Sequence, residues 1–259
     1  MIRAVFFDLD DTLLWDKKSV KTAFEKTCQT ASEKYDVDPE VFEEAVREEA
    51  RKLYATYETH DFTKMIGINP FEGLWGEFDD TGESFKKMKE LVPTYRTNAW
   101  TGGLKQFGIE DADYGAVLAN LFIDNRKTSP FLYEETFQVL DALKNDYKLV
   151  LITNGSPSLQ QTKLTITPEL VPYFDEIIIS GDFGVGKPDA TIFEHVLKLC
   201  DLKPEEALMV GDNRMTDILG ANRAGIPSVW INRENEAPIE DVVPTYEITN
   251  LMELNSILK

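Results

Sequence analysis

Five short apolar runs punctuate the chain, each ending in small or polar residues: Ala4–Phe7, Leu149–Ile152, Ile177–Ile179, Ala207–Val210 and Ser228–Ile231. The second, third and fifth are rich in Val and Ile, as buried parallel strands are. Helical patterns lie between the later runs. Phe137, Leu140 and Leu143 keep the helix period, and so do Ile192, Phe193, Val196, Leu197 and Cys200. Strand and helix in alternation predict an α/β core, a doubly wound, Rossmann-like parallel sheet with right-handed crossovers and helices on both faces. A strand-like Tyr246–Ile248 and a helix-like Leu251–Leu258 close the chain.

The alternation breaks after the first run. From Lys17 to Arg126 no buried strand is evident. Val20, Ala23, Phe24, Thr27, Cys28 and Ala31 share one helix face; Phe42, Val46, Ala50, Leu53 and Tyr57 share another; Tyr114, Val117, Leu118, Leu121 and Phe122 share a third. The expected division is therefore an α/β core from 1–16 and 127–259, with 17–126 inserted as a helical domain of its own. The stretch from Gly67 to Gly76 carries three glycines and a proline and is expected to be a loop. Glu43, Glu44, Glu48 and Glu49 suit a solvated helix face better than a metal site.

Composition narrows the partners. The formal charge is −19, which argues against nucleic acid, because such binding rests on Lys and Arg neutralising phosphates. No apolar stretch approaches the ~18 residues of a membrane span. The N-terminus runs straight into a strand, without signal-peptide anatomy. Cys28 and Cys200 fall in helix-like apolar patterns and are expected to be buried thiols of a cytoplasmic protein. A small anionic substrate stays compatible with the acidic balance, since one lysine or a divalent cation can reverse the field inside a pocket.

In an open parallel sheet, ligands bind beyond the carboxyl ends of the strands. After the first run comes Asp8-Leu9-Asp10-Asp11-Thr12-Leu13, and after the second Thr153-Asn154-Gly155-Ser156. A loop after the third leads to Gly186-Lys187-Pro188, and the fourth is followed by Gly211-Asp212-Asn213-Arg214-Met215-Thr216-Asp217. Singly, such an Asp or Thr is more often a turn or cap residue than a catalytic one. Together they put several carboxylates on one edge, and these repel unless a cation and a lysine neutralise them. Phosphoryl transfer needs this set: an anionic nucleophile, a nearby metal and donors for the phosphoryl oxygens.

Phe6-Phe7-Asp8-Leu9-Asp10-Asp11-Thr12-Leu13 resembles the first motif of the haloacid dehalogenase superfamily. Ile152-Thr153-Asn154-Gly155 is similar to its second motif, Gly186-Lys187-Pro188-Asp189 to its third, and Val210 through Asp217 to its fourth. The insertion resembles the helical cap of the phosphoglycolate-phosphatase-like branch. The resemblance implies a phosphoric monoester hydrolase with Asp8 as nucleophile and Asp10 as general acid and base. It implies Mg²⁺ held by Asp8, the backbone carbonyl of Asp10, and Asp212. Thr153 and the amide of Asn154 would bind phosphoryl oxygens, Lys187 would offset charge, and Asp217 would hold waters or Lys187. True dehalogenases resemble the family without the second aspartate, so Asp10 points to a phosphatase. The expected partner is a small phosphorylated metabolite, with phosphoserine one candidate. A sugar-phosphate mutase, which shares the same four motifs, and a non-catalytic phosphate-binding regulator that kept the fold stand as alternatives.

Other residues carry weaker signals. Neither His60 nor His195 is expected to act as a base. Trp15 suits either a substrate pocket or ordinary packing, and Arg126 is a candidate substrate contact. Arg96, Lys105 and Gly102-Gly103 are candidate specificity elements, though a surface loop is the favoured reading. Ala190 stands where relatives commonly carry proline, with only a local effect expected at the helix start.

Overall fold

The computed structural model of the protein describes residues 1–258. Six strands form one sheet: β1 (Ala4–Phe7), β2 (Lys148–Thr153), β3 (Glu176–Ile179), β4 (Ala207–Gly211), β5 (Ser228–Ile231) and β6 (Tyr246–Ile248). Their order is β3-β2-β1-β4-β5-β6, and every neighbouring pair is parallel. This is the doubly wound α/β architecture that the alternation predicts.

Side-chain alternation along the strands explains the layers. Ala4, Phe6, Val150, Ile152, Ala207 and Met209 pack with Ile192, Phe193 and Val196 of the helix Ala190–Leu199. Val5 and Phe7 are also fully buried. By the two-residue period they serve the opposite face of β1, so both faces of the central strand are covered.

The chain divides into two compact units. The first comprises Met1–Asp16, Leu132–Gly155 and Thr167 onward; the second comprises Lys17–Phe131 and Ser156–Ile166. The sequence expectation places 127–259 in the α/β part. Instead residues 127–131, and the helix Pro157–Ile166 that follows β2, belong to the second unit.

The second unit is helical: α1 (Asp16–Lys34), α2 (Pro39–Thr56), α3 (His60–Ile66), α4 (Pro70–Gly73), α5 (Glu83–Gln106) and α6 (Ala112–Lys127). Asp38 starts α2 by accepting from the amides of Glu40 and Val41, with Pro39 in the first turn. Phe24, Trp100 and Phe122 meet at the centre, with ring centroids 4.5–5.8 Å apart.

Two expectations need correction here. The Gly67–Gly76 segment contains α4, whose start is fixed reciprocally by Asn69 and Glu72. Arg96, Lys105 and Gly102-Gly103 are not in a surface loop but on α5, a 24-residue helix with Pro93 inside it. Arg96 is buried, and a Cβ on Gly103 would lie 2.5 Å from Val46 Cγ2. That glycine lets α5 approach α2. Residues that ordinarily break helices are here the price of close packing, and they hid the element. Among the described residues, no helix is long and apolar enough to cross a membrane. Cys28 and Cys200 are buried free thiols, and burial raises both above the usual thiol range.

Candidate active site

The central strands deliver the site. β1 lies between β2 and β4, so the segments after these three strands start side by side at one edge. Asp8 directly follows β1, and its amide still donates to the Val210 carbonyl at 3.0 Å. The nucleophile candidate is therefore as rigid as the sheet. The chain then turns sharply: Asp11 adopts a left-handed φ of 61°, which Asp tolerates better than most residues. Its amide donates to Leu14, and Leu13 donates to Leu9. The turn keeps Asp8 through Leu14 in one tight loop at the end of β1.

Lys187 is the hub. Its ammonium donates to Asp8 Oδ1 at 2.6 Å and to the Ile152 carbonyl at 2.7 Å, and lies 2.7 Å from Asp217 Oδ1. Only 1% of its side chain is exposed. Burial alone would lower the pKa of the ammonium, but Asp217 and Asp8 together raise it, so Lys187 stays charged. For Asp8 burial dominates and pushes the carboxyl up to about 6; Lys187 pulls it down and Asp217 pushes it up. Asp8, Asp212 and Asp217 each offer a carboxylate oxygen, all within 4.8 Å of one another. Three hard oxygen donors, with neither His nor Cys in the cluster, fit magnesium and not a softer metal.

The surrounding chain locks this arrangement. A Cβ on Gly211 would lie 2.2 Å from Asp217 Oδ2, so only glycine lets Asp217 fold back against β4. Asp217 sits on a widened π-helical turn, Arg214–Ile218, and also accepts from the Asn213 amide at 3.1 Å. Asn154 has a task that the motif did not suggest. Its side chain accepts from the Lys187 amide at 2.8 Å and donates to the Lys187 carbonyl at 2.9 Å, gripping the backbone of the lysine.

Thr12, within the first motif, links the loops after β1 and β4. Its hydroxyl donates to Asp8 Oδ2 at 3.2 Å and accepts from the Asp212 amide at 3.1 Å. A short hydroxyl four residues after the aspartate was the available signal.

The carboxylates of Asp8, Asp212 and Asp217 are brought together, with the Lys187 ammonium on two of them, and Thr153 ends β2, which pairs with β1. Asp217 is paired directly with Lys187 and its carboxylate also joins the cluster. The carboxylate cluster comprises Asp8, Asp212 and Asp217, and Asp10 follows Asp8 by two residues on the same loop. His60 stands edge-on to Tyr54, and His195 stacks near Phe183. Arg126 is buried in the helical unit with its guanidinium 4.5 Å from the Trp75 ring. Trp15 stacks on Tyr133 at 5.2 Å and is partly exposed.

An open parallel sheet whose central strand ends in a buried aspartate, clamped by a lysine beside two more carboxylates, defines a hydrolytic α/β enzyme class. A family model of the haloacid dehalogenase-like hydrolases matches residues 2–225, and the chain belongs to that family. It is similar to the phosphoserine phosphatase of Thermus thermophilus, with 29% identity over 253 residues covering 98% of each chain. The structure of the HAD-hydrolase YfnB of Bacillus subtilis, determined with magnesium bound, superposes with a TM-score of 0.65 at 25% identity, covering 100% of this chain and 99% of that one. A 2-haloacid dehalogenase of Pseudomonas syringae shares the fold, with a TM-score of 0.60 at 23% identity over 100% and 98% of the two chains.

Proposed function

We propose that this hydrolase is a Mg²⁺-dependent phosphatase of a small phosphate monoester, working through an aspartyl-phosphate on Asp8. The observation that carries the reading is the Lys187 ammonium within 2.7 Å of both Asp8 and Asp217, beside Asp212. In the first step the Asp8 carboxylate attacks phosphorus and the ester oxygen departs. Asp10 gives that oxygen its proton, because an alkoxide is a poor leaving group. In the second step Asp10 takes a proton from water, which attacks the acyl phosphate and regenerates Asp8. Thr153 and the backbone amide of Asn154 bind the phosphoryl oxygens. Lys187 lowers the repulsion between a carboxylate and an incoming phosphate. Magnesium, held by Asp8, the Asp10 carbonyl and Asp212, would neutralise charge developing on the transferring group.

Phosphoserine is the substrate this reading favours, on similarity to a phosphoserine phosphatase along 98% of both chains. The helical unit is the part assigned to substrate choice. Dehalogenation fits less well, since a departing halide needs no proton and Asp10 would have no task. Rapid quench with ³²P-labelled aryl phosphate tests the proposal. Label on the protein, released by hydroxylamine and absent with EDTA, is the expected result. A transfer-to-hydrolysis ratio that follows the leaving group, with no labelled protein, would mean direct attack by water. Isomerisation of an added sugar bisphosphate would indicate a mutase.

A further inference from the structure

The end of β5 reaches both catalytic loops through side chains that the mechanism leaves unused. Trp230 is buried, and its indole Nε1–H donates to the Asp212 carbonyl at 2.8 Å. The Arg214 guanidinium covers that indole at 4.1 Å from the ring centroid, and lies 3.5 Å from Glu236. Three residues later, Arg233 donates to the Thr12 carbonyl at 3.2 Å. The same guanidinium is fixed by Glu135 at 2.6 Å and by the Tyr133 ring at 3.5 Å. These two partners flank the first motif's loop, since Leu13 accepts from the Tyr133 amide and from the Thr136 hydroxyl. Thr12 in turn bridges Asp8 and the Asp212 amide.

Both bonds fall on backbone carbonyls of the loops that supply the carboxylates. A hydrogen bond to a carbonyl fixes the peptide plane, and hence the direction in which the neighbouring side chain leaves the backbone. A site for a small octahedral cation tolerates little error in ligand direction. Groups that orient ligands without touching the ion commonly change metal affinity or activity by about 10- to 100-fold.

We infer that Trp230 and Arg233 are positioning residues of the metal site: Trp230 fixes the peptide that carries Asp212, and Arg233 fixes the loop that carries Asp8 and Asp10. The inference rests on the metal-dependent reading proposed above.

The test uses chelator-treated wild-type protein, Trp230→Phe, Arg233→Met and Arg233→Lys, with Mg²⁺ affinity taken from the Mg²⁺-dependent rise in melting temperature. Trp230→Phe keeps the ring packing and loses the donor. It should weaken Mg²⁺ binding about tenfold or more, while saturating Mg²⁺ restores kcat and leaves the substrate KM within about twofold. Arg233→Met should lower kcat about tenfold at saturating Mg²⁺, and Arg233→Lys should recover part of it. Unchanged Mg²⁺ affinity in Trp230→Phe, or a kcat lost at every Mg²⁺ concentration, overturns the role of Trp230. Should Trp230→Phe fail to fold, the arginine pair decides, and Arg233→Met with wild-type kcat overturns the brace. A wild-type protein that turns over phosphate esters with no thermal response to Mg²⁺ overturns the metal-dependent reading instead, and the positioning role with it.

Discussion

Each unit buries a lysine, and the two lysines are used differently. In the helical unit Lys163 pairs with Glu72 at 2.9 Å, with 3% and 6% of the side chains exposed. The other Glu72 oxygen accepts from the Asn69 amide and closes the start of α4. In the α/β unit Lys187 is shared between Asp8 and Asp217, with a third carboxylate within 4.8 Å. Arg96 repeats the first style, donating to the carbonyls of Gly73 and Gly76 where α4 ends. Buried charge that is matched to its partners holds a fold in register. Buried charge left with an excess of one sign is a site prepared for a ligand that supplies the other sign.

Substitutions separate these two uses, and the largest effect belongs to the nucleophile. Asp8→Asn should lower turnover roughly 10⁴-fold or more, since a neutral amide cannot attack phosphorus. Asp10→Asn should cost about 10²–10⁴-fold on alkyl phosphates and less on aryl phosphates in the first step, measured by phosphate release. Lys163→Met should do the opposite. It leaves Glu72 buried beside an apolar chain and should cost about 3–5 kcal/mol of stability in urea unfolding, with kcat of the folded fraction nearly unchanged. A catalytic defect there without instability would erase the distinction.

The smallest effect concerns the excess itself. Burial raises Asp8 from its ordinary 3.8 to about 6, so the folded metal-free protein holds that proton more tightly than the unfolded chain does. This contribution to stability is full below about pH 4 and is lost as the pH rises through 6. Asp8→Asn escapes the loss. In chelator it should exceed wild type by about 3 kcal/mol at pH 7.5 and by little at pH 4. Equal stability at both pH values would mean that Lys187 already neutralises the site.

The candidate site was legible where its residues sit at strand ends in short contiguous motifs: the structure brings Asp8, Asn154, Lys187, Asp212 and Asp217 together. The alternation of apolar runs then fixed which ends meet. The helical unit was less legible. α5 carries Pro93 and Gly102-Gly103, and the short α4 lies between Gly67 and Gly76 with Pro70 and Gly73 at its own ends, so local signals opposed the tertiary structure that overrides them. Arg96 looks like a surface charge until the carbonyls that receive it are known. Trp230 and Arg233 had no motif at all, because their partners are backbone carbonyls distant in sequence.

The helix Pro157–Ile166 has a consequence for how this architecture can be recombined. It lies between two stretches of the α/β unit in sequence, yet Ser156 and Ser158 bind Asp80, Lys163 binds Glu72, and Leu159 joins the helical core. The backbone therefore passes between the units four times, not twice. A cassette cut at 17 and 131 would arrive in a foreign host without the residues that complete Asp80 and Glu72. It would also leave behind a helix whose apolar side has lost its cover. Transplanting the helical unit among relatives requires moving both segments as one inheritance, so the insertion is portable only together with the eleven residues 156–166 that begin one position after Gly155.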